Sequence, residues 1–463
     1  VDLGARTAHF DEGRVGYWTL RYLDTGVYSY RPAAGGPVVY LSTRLMIDLF
    51  GASDAAARSA VALVGGLLPA AALLFRGPLG DDETLALSAL LAGSPLLVYY
   101  SRFLRGDVLA AAFGLLVVGG VVRHRTTGAR WPIYLAAAAL PLALGSSGFG
   151  AAYLPLWLFA GALVLDEARV QGVPAAAHAR LGAGAAWLRA ESATLARALF
   201  VFLGVVLLVF APRGGGVEPG LWTPATLPAA VSFAFAEAPE RFVSLRFATR
   251  LSPPATGNSF LPAVAGYART LVETAWPALL FGLVGFLRDR YSSDTRGVVA
   301  FGAYAGGFGL LAFPIASMGV EPWTAVHVVP LFALPAAVGL AWAARGLRSR
   351  ATAADPAWLV AVLLVASAGL VGYGATAADA YAEPSPGSEF AQFAQPSGDI
   401  DPMVAAAEAA ISDGDGSEGA DVVYVGDRLY TEQEYALPPV AARDRDAWGA
   451  RLPLPWYFGR LDA

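Results

Sequence analysis

The chain has no cysteine and no lysine: its 463 residues include 32 basic side chains, and every one is arginine. The first absence excludes disulfides and thiolate metal sites, and with only four histidines a structural zinc site is not expected. The second excludes a Schiff-base mechanism and a phosphate-loop lysine. Charge is scarce as well. Charged residues make up 15% of the chain, against about a quarter in soluble domains, and a net charge of −5 excludes a broadly basic nucleic-acid binder. What remains is apolar: 56% of residues are hydrophobic and the mean hydropathy is +0.52. The apolar residues fall in long runs, which excludes disorder, collagen and coiled coil and predicts an integral membrane protein.

Reading for runs that could cross a hydrocarbon core of about 30 Å gives roughly ten spans. They lie near residues 57–75, 85–100, 108–122, 131–145, 151–165, 198–211, 271–287, 298–317, 325–344 and 358–376. A further membrane helix is expected upstream of Val1. Tyr99, Tyr100, Trp131 and Trp358 sit at span ends, as interfacial aromatics do. Three short loops are rich in arginine: Arg123, Arg125 and Arg130; Arg288, Arg290 and Arg296; Arg345, Arg348 and Arg350. All three fall on one side, which the positive-inside rule makes cytoplasmic. The acidic loop with Asp81, Asp82 and Glu83 falls there too and fits less well. The other side receives residues 1–56, the Ser101–Asp107 connection, the Gly145–Gly150 turn, a large loop at 212–270 and everything after residue 378. From Asp379 onward the chain carries 16 acidic residues against five arginines. An acidic exterior and basic interior loops agree with each other. The expected fold class is therefore an all-α polytopic membrane protein of roughly 10–11 transmembrane helices. It divides into a membrane domain, 1–378, and a small extracytoplasmic α/β domain, 379–463. In the latter, 403–411 reads as an amphipathic helix, 421–425 as a strand and 414–419 as a turn-rich linker.

Ionisable residues beside span ends are candidate functional groups in such a chain. Three clusters stand out on the outer side. Residues 10–18 (FDEGRVGYW) place Asp11 and Glu12 together, one able to act as a general base and the other to orient it. The competing explanation is a helix start whose first-turn carboxylates favour the dipole. Tyr17 and Tyr22 follow in an amphipathic stretch that could wall a pocket. Residues 99–107 (YYSRFLRGD) join two spans, and Arg102 and Arg105 could grip a phosphate while Asp107 pairs with them or faces the reaction. Two arginines in a short outer loop run against the charge rule and call for a reason. Residues 318–327 (MGVEPWTAVH) bring Glu321, Trp323 and His327, with Pro322 at a helix start and His327 one turn inside. Arg241, Arg246 and Arg250 are weaker candidates, better explained by an exposed helix. The Gly145–Gly150 run follows no strand and reads as a turn, not a nucleotide loop. The interior of the spans is almost free of charge, which disfavours ion-coupled transport. Carboxylates, an arginine pair and interfacial aromatics suit transfer of a group from an anionic lipid carrier.

These stretches resemble the GT-C superfamily of membrane glycosyltransferases, in its protein O-mannosyltransferase-like branch. They are most similar to a haloarchaeal family, flippase-activity-associated and linked to N-glycosylation. The resemblance rests on DEGRVGYWTLRYLDTGVYSYRPAAGGP (11–37), GASDAAARSAVALVGG (51–66), SPLLVYYSRFLRGDVLAAAF (94–113), EPWTAVHVVP (321–330) and LPLPWYF (452–458). It implies an enzyme of the cell membrane that takes a sugar from a polyprenyl (dolichyl) phosphate donor at the outer face and inverts the anomeric centre. The acceptor would be a glycan or protein, with membrane lipid as the other partner and no nucleic acid. By position, Asp11 would be the general base and Glu12 would orient it or the acceptor. Asp107 would be a second outer-loop acid. Arg102 and Arg105 would hold the donor phosphate, and Glu321, Trp323 and His327 would line the donor side. No cofactor is required, since arginine alone can hold a lipid monophosphate; a divalent cation between the acids is the alternative. One departure is that Val320-Glu321-Pro322 lacks the basic neighbour frequent in that family. A flippase, or an accessory to one, for lipid-linked sugars is the competing function.

Overall fold

The computed structural model describes residues 3–30, 35–170, 174–214, 219–243, 260–293, 295–317, 321–352, 374, 376–378, 380, 400–412, 422–430 and 448–461. In chain order its helices are α1 (Phe10–Thr25), α2 (Pro37–Phe50), α3 (Asp54–Leu67), α4 (Asp81–Gly93), α5 (Pro95–Tyr100), α6 (Asp107–Thr127), α7 (Trp131–Ser146) and α8 (Tyr153–Val170). Next come α9 (Pro174–Ala190), α10 (Ser192–Phe210), α11 (Leu227–Ser232), α12 (Ala238–Val243), α13 (Phe260–Arg290), α14 (Gly297–Ser317) and α15 (Val329–Thr352). The tail holds α16 (Asp401–Ser412) and α17 (Leu454–Gly459). Among the described residues there is no strand, only isolated bridges such as Tyr28 with Arg213. The expected strand at 421–425 is therefore not formed over 422–425, and the tail's described elements are helical. The 414–419 linker lies outside the described residues.

Among the described residues, six helices are long and apolar enough to cross a membrane: Asp54–Phe75, Asp107–Thr127, Ser192–Phe210, Val264–Arg290, Gly297–Ser317 and Val329–Ser349. Trp131–Ser146 and Gly150–Asp166 are shorter apolar helices. The expected span at 85–100 is instead two helices. Pro95 removes a backbone donor and holds Ser94 in an extended conformation (ψ 115), so α4 stops at Gly93 and α5 restarts with Ser94 as its cap. The span expected from 271 begins earlier, since α13 starts at Phe260. The span expected at 358–376 falls almost wholly outside the described residues.

α6 runs 21 residues, about 30 Å, and so fixes two ends of the bundle. At its C-terminal end the basic loops gather. Arg123 donates to the Arg76 carbonyl, and Arg76 pairs with Asp81 at 2.9 Å. Arg296 pairs with Glu83 and Asp289, both at 2.6 Å, and Arg345 approaches Asp82 and Glu83 at 3.7 Å. The ill-fitting acidic loop thus has a physical reason: its carboxylates neutralise arginines of the neighbouring loops. At the N-terminal end of α6 stand Asp107 and the candidate site.

Candidate active site

α1 is capped by His9, whose ring Nδ1 accepts the Asp11 N–H (3.1 Å) while the Glu12 carboxylate accepts the His9 N–H (2.7 Å). This reciprocal capping box turns the adjacent acids in different directions. Glu12 is buried and saturated. Arg58 of α3 donates to it at 2.9 and 3.1 Å, Arg6 at 2.7 Å and the Leu104 N–H at 2.7 Å. Burial pushes the Glu12 carboxyl up, but Arg58 and Arg6 outweigh this and hold it far below the carboxylate range. Glu12 thereby ties α1, α3 and the 99–107 loop together. Arg58, an arginine inside a predicted span, carried the signal of a buried partner and was overlooked in the sequence.

Asp11 faces the other way. Its Oδ2 accepts from Arg105 Nη1 at 2.5 Å, and its Oδ1 lies 3.8 Å from Arg14 with no hydrogen bond among the described residues. Burial raises its pKa, yet Arg105 and Arg14 bring it below the ordinary value. Arg105 also pairs through Nε with Asp107 Oδ2 at 3.0 Å and lies 3.8 Å over the Trp323 ring. Those carboxylates overcome burial and keep it charged. Trp323 donates its indole N–H to Glu321 at 3.1 Å; burial raises Glu321 despite the pull of Arg105. Asp107 is held from behind. Its Oδ1 accepts from Ser147 Oγ (2.8 Å) and faces His327 Nε2 (3.2 Å), and His327 Nδ1 meets the Tyr153 hydroxyl at 2.6 Å. The His327 ring stacks on Phe313, centroids 4.9 Å apart. The loop fits because Gly106 has no side chain: a Cβ there would stand 1.6 Å from the Ser146 carbonyl oxygen.

Asp11, Arg105, Asp107, Glu321, Trp323 and His327 therefore come together from three separated stretches of sequence. Arg102 does not join them: it donates to the Ala380 carbonyl at 2.6 Å and lies over Tyr99. Tyr17 packs on Trp18 and Trp448, and Tyr22, about 16 Å along α1 from Asp11, packs on Tyr28 beneath Arg44. None of these ring contacts is with a residue of the cluster. Arg241 reaches Ser29 Oγ at 3.1 Å, while Arg246, Arg250 and residues 318–320 lie outside the described residues. Ser147 and Tyr153 were missed: one sat in a stretch read as a turn, the other in a short apolar helix. Among the described residues, no three His, Asp or Glu are grouped to hold a metal ion.

Two solved structures share this architecture. ArnT from Cupriavidus metallidurans bound to undecaprenyl phosphate aligns with a TM-score of 0.54 and 17% identity, over 99% of this chain and 73% of that one. The apo ArnT structure aligns with a TM-score of 0.51 and 18% identity over the same shares. The chain has a GT-C-like membrane fold. Residues 400–463 match the family model for the Agl23 flippase-associated protein C-terminal domain. No curated protein matches. The fold expected from the motifs is met, and with it the multi-pass membrane nature; the flippase-associated description is met over residues 400–463.

Proposed function

We propose that the chain is a glycosyltransferase that moves a sugar from a polyprenyl (dolichyl) phosphate to a glycan or protein acceptor on the extracytoplasmic face, with inversion, in a protein glycosylation pathway. The observation that carries this reading is Arg105, fixed between Asp11 and Asp107 against Trp323 at one end of a membrane bundle. The undecaprenyl phosphate bound by ArnT, which has the same fold, supports a lipid-phosphate donor. In the reaction, Asp11 takes the proton of the acceptor hydroxyl through its open Oδ1. The acceptor oxygen then attacks the anomeric carbon from the face opposite the phosphate. The bond from that carbon to the phosphate oxygen breaks, and polyprenyl phosphate leaves with the electron pair, its charge met by Arg105. Asp107, held by Ser147 and His327, aims the guanidinium. Glu12 positions α1.

The match to a flippase-associated domain favours a second reading, an accessory to lipid-linked sugar flipping. Transfer of label from a radiolabelled polyprenyl-phosphate sugar in membranes separates the two. The expected result is transfer by the wild type and loss of about 10²-fold or more in Asp11→Asn. Unchanged transfer in that variant would remove Asp11 as base. A folded wild type inactive with several sugars would favour the accessory reading.

A further inference from the structure

The C-terminal segment folds back onto the helix that carries Asp11. α17 lies across α1 where α1 is bare: a Cβ on Gly13 would stand 2.6 Å from Pro453, and one on Gly16 would stand 2.4 Å from the Trp456 ring. Trp448 stacks on Trp18, centroids 5.6 Å apart. The contact is also polar and specific. Asp54, the first residue of α3, accepts from the Trp456 indole N–H (2.6 Å), the Tyr457 hydroxyl (3.1 Å) and Arg460 Nη1 (3.0 Å). The Tyr457 oxygen in turn accepts the Ala8 N–H at 2.8 Å, one residue before the cap of α1. Trp456 and Tyr457 are both buried.

We infer that the C-terminal domain is a clamp that positions the catalytic helix, with Asp54, Trp456 and Tyr457 as positioning residues. One carboxylate at the start of α3 gathers two donors from α17 and a third from Arg460 just after it, and one phenol bridges that carboxylate to the chain entering α1. The clamp and the Glu12–Arg58 pair hold α1 against α3 from two sides, so the direction of Asp11 is set by residues that do not touch substrate. All the clamp residues of the tail lie within the span matching the flippase-associated domain. That domain's part in the chemistry is therefore geometric.

The inference rests on the transferase reading for its kinetic consequence but not for its structural one, so the test has two arms. Full-length Asp54→Asn and Tyr457→Phe are compared with wild type, with Asp54→Glu as the conservative variant. Hydrogen exchange over residues 10–25 should quicken in the first two. Their kcat should fall by roughly tenfold or more with donor KM little changed, as expected of a displaced base. Asp54→Glu should recover part of both. Unchanged exchange in the folded variants overturns the clamp. Faster exchange with unchanged kcat overturns its positioning role. Should the wild type transfer no sugar, the transferase reading fails and the exchange arm still decides the clamp.

Discussion

At Arg105 a single guanidinium meets Asp11, Asp107 and the face of Trp323. Its removal makes a signed prediction. Burial raises the Asp11 carboxyl and Arg105 is the larger of the charges that lower it. The base works ionised, so the acid limb of kcat/KM should lie below the ordinary carboxylate range in wild type. It should move to higher pH in Arg105→Met, where burial is less opposed. A limb that stays in place would remove Asp11 as the titrating group. Asp11, Arg105 and Asp107 were legible in the sequence because ionisable residues at span ends of an apolar chain need a reason. That Glu12 is held by Arg58 and Arg6 while Asp11 turns to Arg105 was not. It depends on His9 serving as cap, an uncommon choice, and on Arg58 arriving from another helix. The packing of Tyr17 on Trp448 was hidden as well, since the two lie far apart along the chain.

The start of α1 makes an element-scale prediction through His9. Burial first, and Arg105 with it, lowers its pKa from 6.5 to about 4, with Asp11 and Glu12 pulling the other way. Phe103 and Trp323 pack edge-on against its ring. The neutral ring is the cap, since its Nδ1 must accept. With the folded pKa below the unfolded one, the unfolded chain binds the proton first as pH falls. Stability is full above about 6.5 and declines toward 4, by up to about 3 kcal/mol. Thermal unfolding in detergent should show this slope, and His9→Asn, which caps without titrating, should flatten it. An equal slope in the variant would rule out His9 as its source. Helix positions were largely readable from hydropathy. The break at Pro95 was also readable, had proline been weighed above apolar length, whereas the early start of α13 was hidden by its Arg269 and Glu273, an exposed i,i+4 pair.

At the scale of the molecule, charge is sorted to the two ends of the bundle. The basic loops cluster around Glu83 and Asp289, and the Asp11–Arg105–Asp107 site lies at the opposite end, where residues 448–461 pack on α1. The absence of cysteine makes the sidedness directly testable. A single Tyr291→Cys should react with impermeant thiol reagents only from the cytoplasmic face, and a single Val425→Cys only from the outside; both positions are more than four-fifths exposed. Labelling of both from one face would contradict the assignment. The sorting of basic loops to one end and the three ionisable clusters to the other was legible because they alternate between successive spans. The return of the tail onto α1 was not, since no local pattern encodes a contact between Ala8 and Tyr457. That contact constrains the path of the chain. A path that touches itself at two distant points on one side of a barrier has come back to the side it left. Any topology that sets Ala8 and Tyr457 on opposite faces of the membrane must break the hydrogen bond that joins them.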